Sequence, residues 1–202
     1  MACVRAITMV NTTAAKFIAQ SFVDAGIKHV YGGHGGALVP LVNAVVDHKE
    51  LEWVCNRHEA NASLAAAASS TLAGVGGIGC CIATSGPGAS NLVTGLLDAQ
   101  LDRCAVICVT GAKPRADAAH SEFQDIDQAR LFAAGGIAFS VTVSDALQLV
   151  AVMRDAVAIA LTQRVVAHVA VPVDIQMMPL QAPRHLCSVS YTHLTLPTIL
   201  LV

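Results

Sequence analysis

The fold is decided by residues 77–110, GIGCCIATSGPGASNLVTGLLDAQLDRCAVICVT. Two runs that are apolar on both faces, at 77–83 and 105–110, flank a stretch at 89–100 whose apolar residues recur at helical spacing. Strands with two apolar faces are typical of a parallel sheet, and a parallel pair needs a long crossover between its strands. The stretch therefore predicts two buried parallel strands joined by a helix.

The same alternation continues on both sides of this unit. Further strands are predicted at 28–31, 51–55, 137–141 and 166–171. One helix is predicted between an N-cap at Thr12 or Thr13 and a C-cap at Gly26, and others at 37–47, 59–72, 128–134 and 144–161. Six strands alternating with helices predict an α/β fold, a doubly wound six-stranded parallel sheet with helices on both faces.

Composition and charge exclude several classes of function. The 202 residues are 54% hydrophobic and 13% charged, and the net charge is −2. No run of Lys or Arg offers a surface for nucleic acid. The uncharged stretch 60–97 is broken by glycines and residues 1–10 lack a secretory pattern, so neither a membrane partner nor secretion is predicted. Seven cysteines without a CxxC pair are predicted to be reduced core residues.

Ligands of a doubly wound sheet bind outside the carboxyl ends of its strands, which here precede loops at 32–36, 56–59, 84–88 and 111–125. Glu59 opens a helix that is otherwise uncharged, and it follows Arg57 and His58. Its carboxylate either interacts with the helix dipole or exchanges a proton with a ligand. His58 likewise has a structural and a functional interpretation.

The turn at 85–91, SGPGASN, joins a buried strand to a helix. Its glycines allow a ligand to approach the backbone and the helix N-terminus offers unpaired N–H groups, although a simple tight turn has the same sequence. The turn lacks the Gly-Lys-Ser/Thr ending of a P-loop and the Gly-x-Ser-x-Gly of a hydrolase elbow. The GxGxxG at 74–79 follows a helix and enters a strand, the reverse of a dinucleotide fingerprint.

Six motifs follow one another along the chain: GGHGGALVP at 32–40, RHEANA at 57–62, ATSGPGASNLVTGLLDA at 83–99, VTGAKPR at 109–115, EFQDID at 122–127 and AVPVDIQ at 170–176. Together they resemble the N-terminal pyrimidine-binding domain of thiamin-diphosphate enzymes, in the branch of acetolactate synthase. The resemblance covers residues 12–178, and six motifs in order are far more specific than any one of them. It predicts one pyrimidine-binding domain over 12–178.

The resemblance implies roles for residues that match these motifs. Glu59 matches the family glutamate that hydrogen-bonds N1′ of the cofactor's aminopyrimidine and favours its imino tautomer, so it is the predicted catalytic residue. The predicted cofactor-binding residues are Gly35, Gly36, Glu59, Ser85, Gly86, Pro87, Gly88 and Asn91. The predicted substrate-side residues are His34, Phe123 and Gln124. No metal ligand is predicted in this chain.

The resemblance also implies an activity. A lyase or transferase of this type uses thiamin diphosphate to decarboxylate a 2-oxo acid and pass the product to an acceptor, as in branched-chain amino-acid biosynthesis. In the family, Mg²⁺ and the diphosphate are held by a C-terminal domain with a Gly-Asp-Gly motif, which is absent from this chain, and some relatives also carry FAD. Sites form between subunits, so a homodimer or tetramer is expected, in the cytoplasm or in a plastid or mitochondrion. The isolated chain is expected to be a truncated, inactive fragment.

Several departures from the family pattern bear on these expectations. His34 stands where the family usually has Pro, and this difference bears on substrate choice; Asp125 replaces the more usual Glu. Residues 179–202 leave the family pattern, and 188–202, SVSYTHLTLPTILLV, resemble translated sequencing-adapter sequence. That stretch is expected to be foreign to the protein, with a genuine C-terminal strand as the alternative.

Two other functions stay open from the sequence. The first is a non-catalytic binding or assembly module that pairs with a full-length partner. A reading frame that continues into the diphosphate domain would argue against it. The second is a flavodoxin-like or nucleotide-binding α/β protein unrelated to thiamin, whose cofactor binding would survive the substitution Glu59→Gln.

Overall fold

The computed structural model describes residues 8–118 and 122–186, and the stretch 188–202 lies outside the described residues. The strands are β1 (Met9–Thr13), β2 (His29–Gly32), β3 (Glu52–Cys55), β4 (Gly79–Ala83), β5 (Val106–Ala112), β6 (Phe139–Thr142), β7 (Val166–Pro172) and β8 (Pro179–Pro183). The helices are α1 (Ala14–Asp24), α2 (Val39–Val46), α3 (Glu59–Leu72), α4 (Pro87–Leu101), α5 (Gln128–Ala134), α6 (Leu149–Gln163) and α7 (Val173–Met177).

The centre of the fold is a six-stranded sheet in the order β3-β2-β4-β5-β7-β6. Every neighbouring pair of strands in it is parallel. All six predicted strands are present, each within two residues of its predicted limits. The predicted α/β class and the six-stranded parallel sheet are confirmed.

Two apolar layers cover the two faces of this sheet. The fully buried strand β4 shows the division, because Cys80 and Ile82 pack in the layer of α1, α2 and α6, whereas Cys81 and Ala83 pack in the layer of α3 and α4. Side chains along a strand alternate between its faces, so an uninterrupted apolar run fits only a strand that is covered on both sides.

Helix α6 and the 3-10 turn before it, Ala146–Gln163, are long and apolar enough to cross a membrane by length and composition alone. Leu149, Met153 and Ala156 recur at helical spacing and are fully buried against the sheet. On the exposed side, Arg154 pairs with Asp155 at 2.9 Å. Helices that cover a sheet satisfy the same test, so this segment is only weak evidence for a membrane.

The sequence does not predict β1, β8 or α7. Strands β1 and β8 pair antiparallel in a separate two-stranded sheet, with Met9 opposite Pro183 and Thr13 opposite Pro179. Short strands whose partner lies far along the chain have little local signal. Residues 179–183, beyond the predicted limit of the domain at 178, are part of the folded body.

The described cysteines are free thiols. The buried ones, as predicted, are Cys80, Cys81, Cys104 and Cys108. Cys55 is exposed because it ends β3, an edge strand of the sheet, and the prediction of a core position is wrong there. Cys3 and Cys187 lie outside the described residues.

Candidate functional site

The carboxyl ends of β2 and β4 bring two of the predicted loops into contact at Thr84. A methyl group at Gly35 would lie 2.5 Å from Thr84 Cβ, and one at Gly88 would lie 2.8 Å from Thr84 Cγ2. The loop after β2 and the first turn of α4 therefore pack on Thr84 without space for a side chain at either glycine.

Glu59 is the first residue of α3 and is half-buried beside these loops. Its Oε2 accepts a hydrogen bond of 3.0 Å from Asn91 Nδ2. Its Oε1 has no hydrogen-bond partner among the described residues. Methyl groups at Gly88 and Gly33 would lie 3.5 and 3.9 Å from Oε1, so this oxygen faces glycine backbone. The carboxylate has one oxygen held and one free to meet a ligand.

The start of helix α3 also depends on His58. The Nδ1 atom of His58 accepts a hydrogen bond of 3.1 Å from Ala60 N, so the exposed imidazole is the N-cap of the helix. This contact supports the structural interpretation of His58. The acidic Glu59 in the first turn is stabilised by the helix dipole as well.

Three buried polar atoms at this edge of the sheet have no hydrogen-bond partner among the described residues: Asn56 Oδ1, Thr84 Oγ1 and Ser85 Oγ. The Ser85 residue is only 1% exposed. A buried polar atom left unpaired costs about 1–3 kcal/mol, so such atoms are rare except where a ligand or water completes the hydrogen bond. The edge is therefore suited to a ligand with both donors and acceptors.

The fourth predicted loop reaches the site through Gln124. Gly86 has a φ of 68°, in the left-handed region that favours glycine, and a methyl group there would lie 2.6 Å from Gln124 Cα. Gln124 is half-buried and also left-handed, with a φ of 73°. Non-glycine residues held in this region cluster at ligand sites. The contact joins the Ser-Gly-Pro-Gly turn to the loop that carries the predicted substrate-side residues.

Four other predicted residues face the solvent side of the loops. Phe123 is 80% exposed, and Pro87 is exposed as the first residue of α4. His34 is exposed, with its ring 6.5 Å from that of Trp53 in an edge-on arrangement. Gly36 borders open space, since nothing lies within 4 Å of a methyl group placed there. The structure does not bring these four residues into the centre around Glu59.

Gly33, Asn56 and Thr84 belong to this centre although their residue types do not distinguish them in the sequence. Each is the first residue after a strand, namely β2, β3 and β4. That position is the signal that points to them, because ligands of parallel sheets bind just beyond the strand ends.

The clear pKa shifts belong to residues outside this centre. Burial raises the pKa of the Cys80 and Cys108 thiols, and for Cys108 a hydrogen bond with Cys81 adds to the rise. Burial lowers the pKa of His168 to about 3. Burial acts to raise the pKa of Asp174, but hydrogen bonds and the charge of Arg115 outweigh it and hold that pKa below its ordinary value.

Residues 12–131, which contain the whole centre around Glu59, match the family described as thiamine pyrophosphate enzyme, N-terminal TPP binding domain. The chain belongs to this thiamine pyrophosphate enzyme family. All predicted site residues, from His34 to Gln124, lie inside the matched segment. Membership of the thiamine pyrophosphate enzyme family excludes an unrelated flavodoxin-like or nucleotide-binding protein.

Acetolactate synthases are among the proteins similar to this chain. The acetolactate synthase of Mycobacterium avium is 40% identical over 117 residues, which are 58% of the chain and 18% of that protein. Acetolactate synthase isozyme 1 large subunit of Escherichia coli strain K12 is 36% identical over 115 residues, 57% of the chain and 20% of that protein. The acetolactate synthase large subunit of Pyropia yezoensis is 37% identical over 118 residues, which are 57% of the chain and 20% of that protein. The chain spans about a fifth of the length of these relatives.

The residues at this edge fit the aminopyrimidine end of thiamin pyrophosphate. That ring offers an amine donor and nitrogen acceptors, and the free Glu59 Oε1 and the unpaired hydroxyls of Thr84 and Ser85 are their complement. Within residues 8–118 and 122–186, no group of three or more His, Cys, Asp or Glu residues is placed to hold a metal ion.

Proposed function

We propose that this chain supplies the pyrimidine-binding side of a thiamin-diphosphate-dependent enzyme of the acetolactate synthase type. Such an enzyme decarboxylates a 2-oxo acid and joins the remaining fragment to an acceptor. The carboxylate of Glu59, held at Oε2 by Asn91 and open at Oε1, is the observation that carries the proposal. The match to the family and the similarity to acetolactate synthases support it.

In this proposal, each residue of the site has its own role at the aminopyrimidine. Glu59 Oε1 exchanges a proton with a ring nitrogen, a task suited to a carboxylate within hydrogen-bond reach. Thr84 Oγ1 and Ser85 Oγ complete hydrogen bonds to the same ring, and the backbone of Gly35 and Gly88 forms its support. Bound thiamin diphosphate supplies the electron sink for breaking and forming the carbon–carbon bond.

The substrate side is proposed to lie along the solvent side of the loops. Gln124 offers an amide next to Gly86, and Phe123 offers an exposed apolar ring. His34 stands near Trp53 at the same edge, where its imidazole bears on the choice of 2-oxo acid. In this proposal the three side chains His34, Phe123 and Gln124 face the substrate.

The remaining parts of the enzyme are proposed to come from outside the described residues. The relatives are about five times as long as the matched segment, so another region of a longer protein holds the diphosphate and Mg²⁺. A second subunit completes the site in a homodimer or tetramer. We propose that the enzyme works in the cytoplasm or an organelle, which is compatible with relatives from Escherichia coli and Pyropia yezoensis.

The test is binding of the aminopyrimidine half of the cofactor, 4-amino-5-hydroxymethyl-2-methylpyrimidine, to the ¹⁵N-labelled 202-residue chain. We expect NMR shifts at residues 33–36, 59–60 and 84–91 on titration to millimolar concentrations, and binding about tenfold weaker for Glu59→Gln. Glu52→Gln, which neutralises an exposed glutamate on β3, is the matched control and leaves binding unchanged.

The titration can also contradict the proposal. Shifts confined to residues outside the three segments, or binding that Glu59→Gln leaves intact, contradict a pyrimidine site at Glu59. The thiazole half of the cofactor, 4-methyl-5-hydroxyethylthiazole, serves as the ligand control and is expected to leave these resonances unmoved. Thermal melts of each variant show that the fold is retained.

A further inference from the structure

We infer that Asn91 is a positioning residue that acts on the ligand through Glu59. Its amide holds Oε2 of the carboxylate, so that Oε1 alone is presented to the ligand. The inference rests on the proposed function for the nature of that ligand, an aminopyrimidine. It differs from a direct contact between Asn91 and the cofactor, which the resemblance to the family implies.

The packing of α3 on α4 sets the distance between these two side chains. Glu59 and Ser63 are one turn apart on α3, as Asn91 and Gly95 are on α4. A methyl group at Gly95 would lie 2.9 Å from Leu64 N, so the helices approach to backbone contact there. Asn91 and Glu59 lie one turn closer to the N-terminus of each helix than this contact. Their side chains consequently face each other, with Asn91 Nδ2 3.0 Å from Glu59 Oε2.

An asparagine amide suits this task because it donates a hydrogen bond without carrying a charge. It fixes one carboxylate oxygen and leaves the negative charge of Glu59 for the ligand. A Lys or Arg at the same place would form an ion pair with the carboxylate and compete with the ligand for it. Both residues are half-buried, which limits the access of water to the bond.

The test is a double-mutant cycle on the binding of 4-amino-5-hydroxymethyl-2-methylpyrimidine to the 202-residue chain, followed by NMR. The variants are Asn91→Leu, Asn91→Asp, Glu59→Gln and the double variant with Asn91→Leu and Glu59→Gln. The Asn91→Asp change keeps the shape of the side chain and replaces the amide donor with a second carboxyl group beside Glu59. We expect each Asn91 variant to bind about tenfold more weakly, and the double variant to bind no more weakly than Glu59→Gln alone.

The matched control is Asn43→Leu, the same substitution at an exposed position of α2, which is expected to bind like the wild type. Asn91 variants that bind like the wild type overturn the inference and leave the proposed function in place. An equal loss from Asn91→Leu in the presence and absence of Glu59 also overturns it, because the amide would then act directly or through the fold. A wild-type chain that does not bind the pyrimidine overturns the proposed function and the inference together.

Discussion

The carboxylate of Glu59 lies at the positive end of α3, with one oxygen bonded to the Asn91 amide. A negative charge at this place stabilises the start of the helix by about 0.3–1 kcal/mol. The same charge is the one that we propose meets the ligand. The structural interpretation of Glu59 and the chemical role that we propose are therefore compatible, because both use the same negative charge.

In the longer enzyme that we propose, replacing Glu59 with Gln removes the charge and keeps the size of the side chain. We expect a melting temperature close to that of the wild type, because the dipole interaction is small. Turnover of a 2-oxo acid such as pyruvate is expected to fall about 100-fold or more, the usual contribution of a proton-transfer group. Turnover within a few-fold of that of Glu52→Gln would contradict the role of Glu59.

His168 is a fully buried residue whose protonation links stability to pH. Its ring nitrogens lie 2.8 Å from Thr110 Oγ1 and 2.8 Å from Ser140 Oγ, and burial lowers its pKa to about 3. An unfolded histidine has a pKa of about 6.5, so between these two values the unfolded chain binds the extra proton. The stability that depends on neutral His168 is complete above about pH 6.5 and falls as the pH drops.

The expected size of this effect is a loss of about 2 kcal/mol in the free energy of unfolding between pH 7.5 and pH 5. Urea denaturation of the wild type and of His168→Gln at both pH values measures it. The variant is expected to be less stable than the wild type at pH 7.5. Its free energy of unfolding is expected to fall less between pH 7.5 and pH 5, because it lacks the titrating imidazole. Equal pH slopes for the two chains would show that His168 does not carry the effect.

At the scale of elements, the site depends on how closely the loop after β2 approaches the end of β4. The contact of Gly35 with Thr84 leaves no space for a side chain, and Gly86 packs on Gln124 from the next loop. Because the strands are parallel, their carboxyl ends meet at one edge, and the loops there must pack on one another. The positions of the loops follow from the order of the strands as much as from the loop sequences.

Alanine substitutions at two adjacent glycines test this dependence. Gly35→Ala places a methyl group 2.5 Å from Thr84 Cβ and is expected to lower the free energy of unfolding by about 1–3 kcal/mol. Gly36→Ala meets nothing within 4 Å and is the matched control, with an expected change within about 0.5 kcal/mol. Chemical denaturation compares the free energies of unfolding of the two variants. Equal values would show that the loop moves to accommodate the methyl group without a loss of stability.

Over the molecule as a whole, the described residues contain the pyrimidine side that we propose and no group of three or more His, Cys, Asp or Glu residues placed to hold a metal ion. The sheet is covered on both faces, and its carboxyl edge carries the open face of Glu59. Under the proposed function, a cofactor with a charged diphosphate end is expected to gain little from the described residues beyond the contacts of its ring.

We expect the 202-residue chain to bind thiamin diphosphate with Mg²⁺ no more tightly than it binds the aminopyrimidine half alone. Isothermal calorimetry with and without Mg²⁺ measures both affinities. A Mg²⁺-dependent affinity far above that of the pyrimidine would contradict this expectation and indicate a diphosphate site within the chain.

Much of the candidate site was predictable as a set of loops, but not as a set of contacts. Glu59 stands out in sequence as the only charge of its helix, and the Ser-Gly-Pro-Gly turn stands out by its glycines. Thr84 and Asn56 do not stand out, because a polar residue after a strand is common in any loop. Their burial without partners depends on neighbours that come from other parts of the chain.

Sequence alone was enough to predict the alternation of strands and helices, the parallel sheet and the edge at which we propose that the site lies. These features follow from hydrophobic periodicity and from the connections between neighbouring elements, which are local properties of the chain. Only the tertiary structure decided the bond from Asn91 to Glu59, the contact of Gly86 with Gln124 and the pairing of β1 with β8. Those contacts depend on distances between residues far apart in sequence, which helix packing and strand order set.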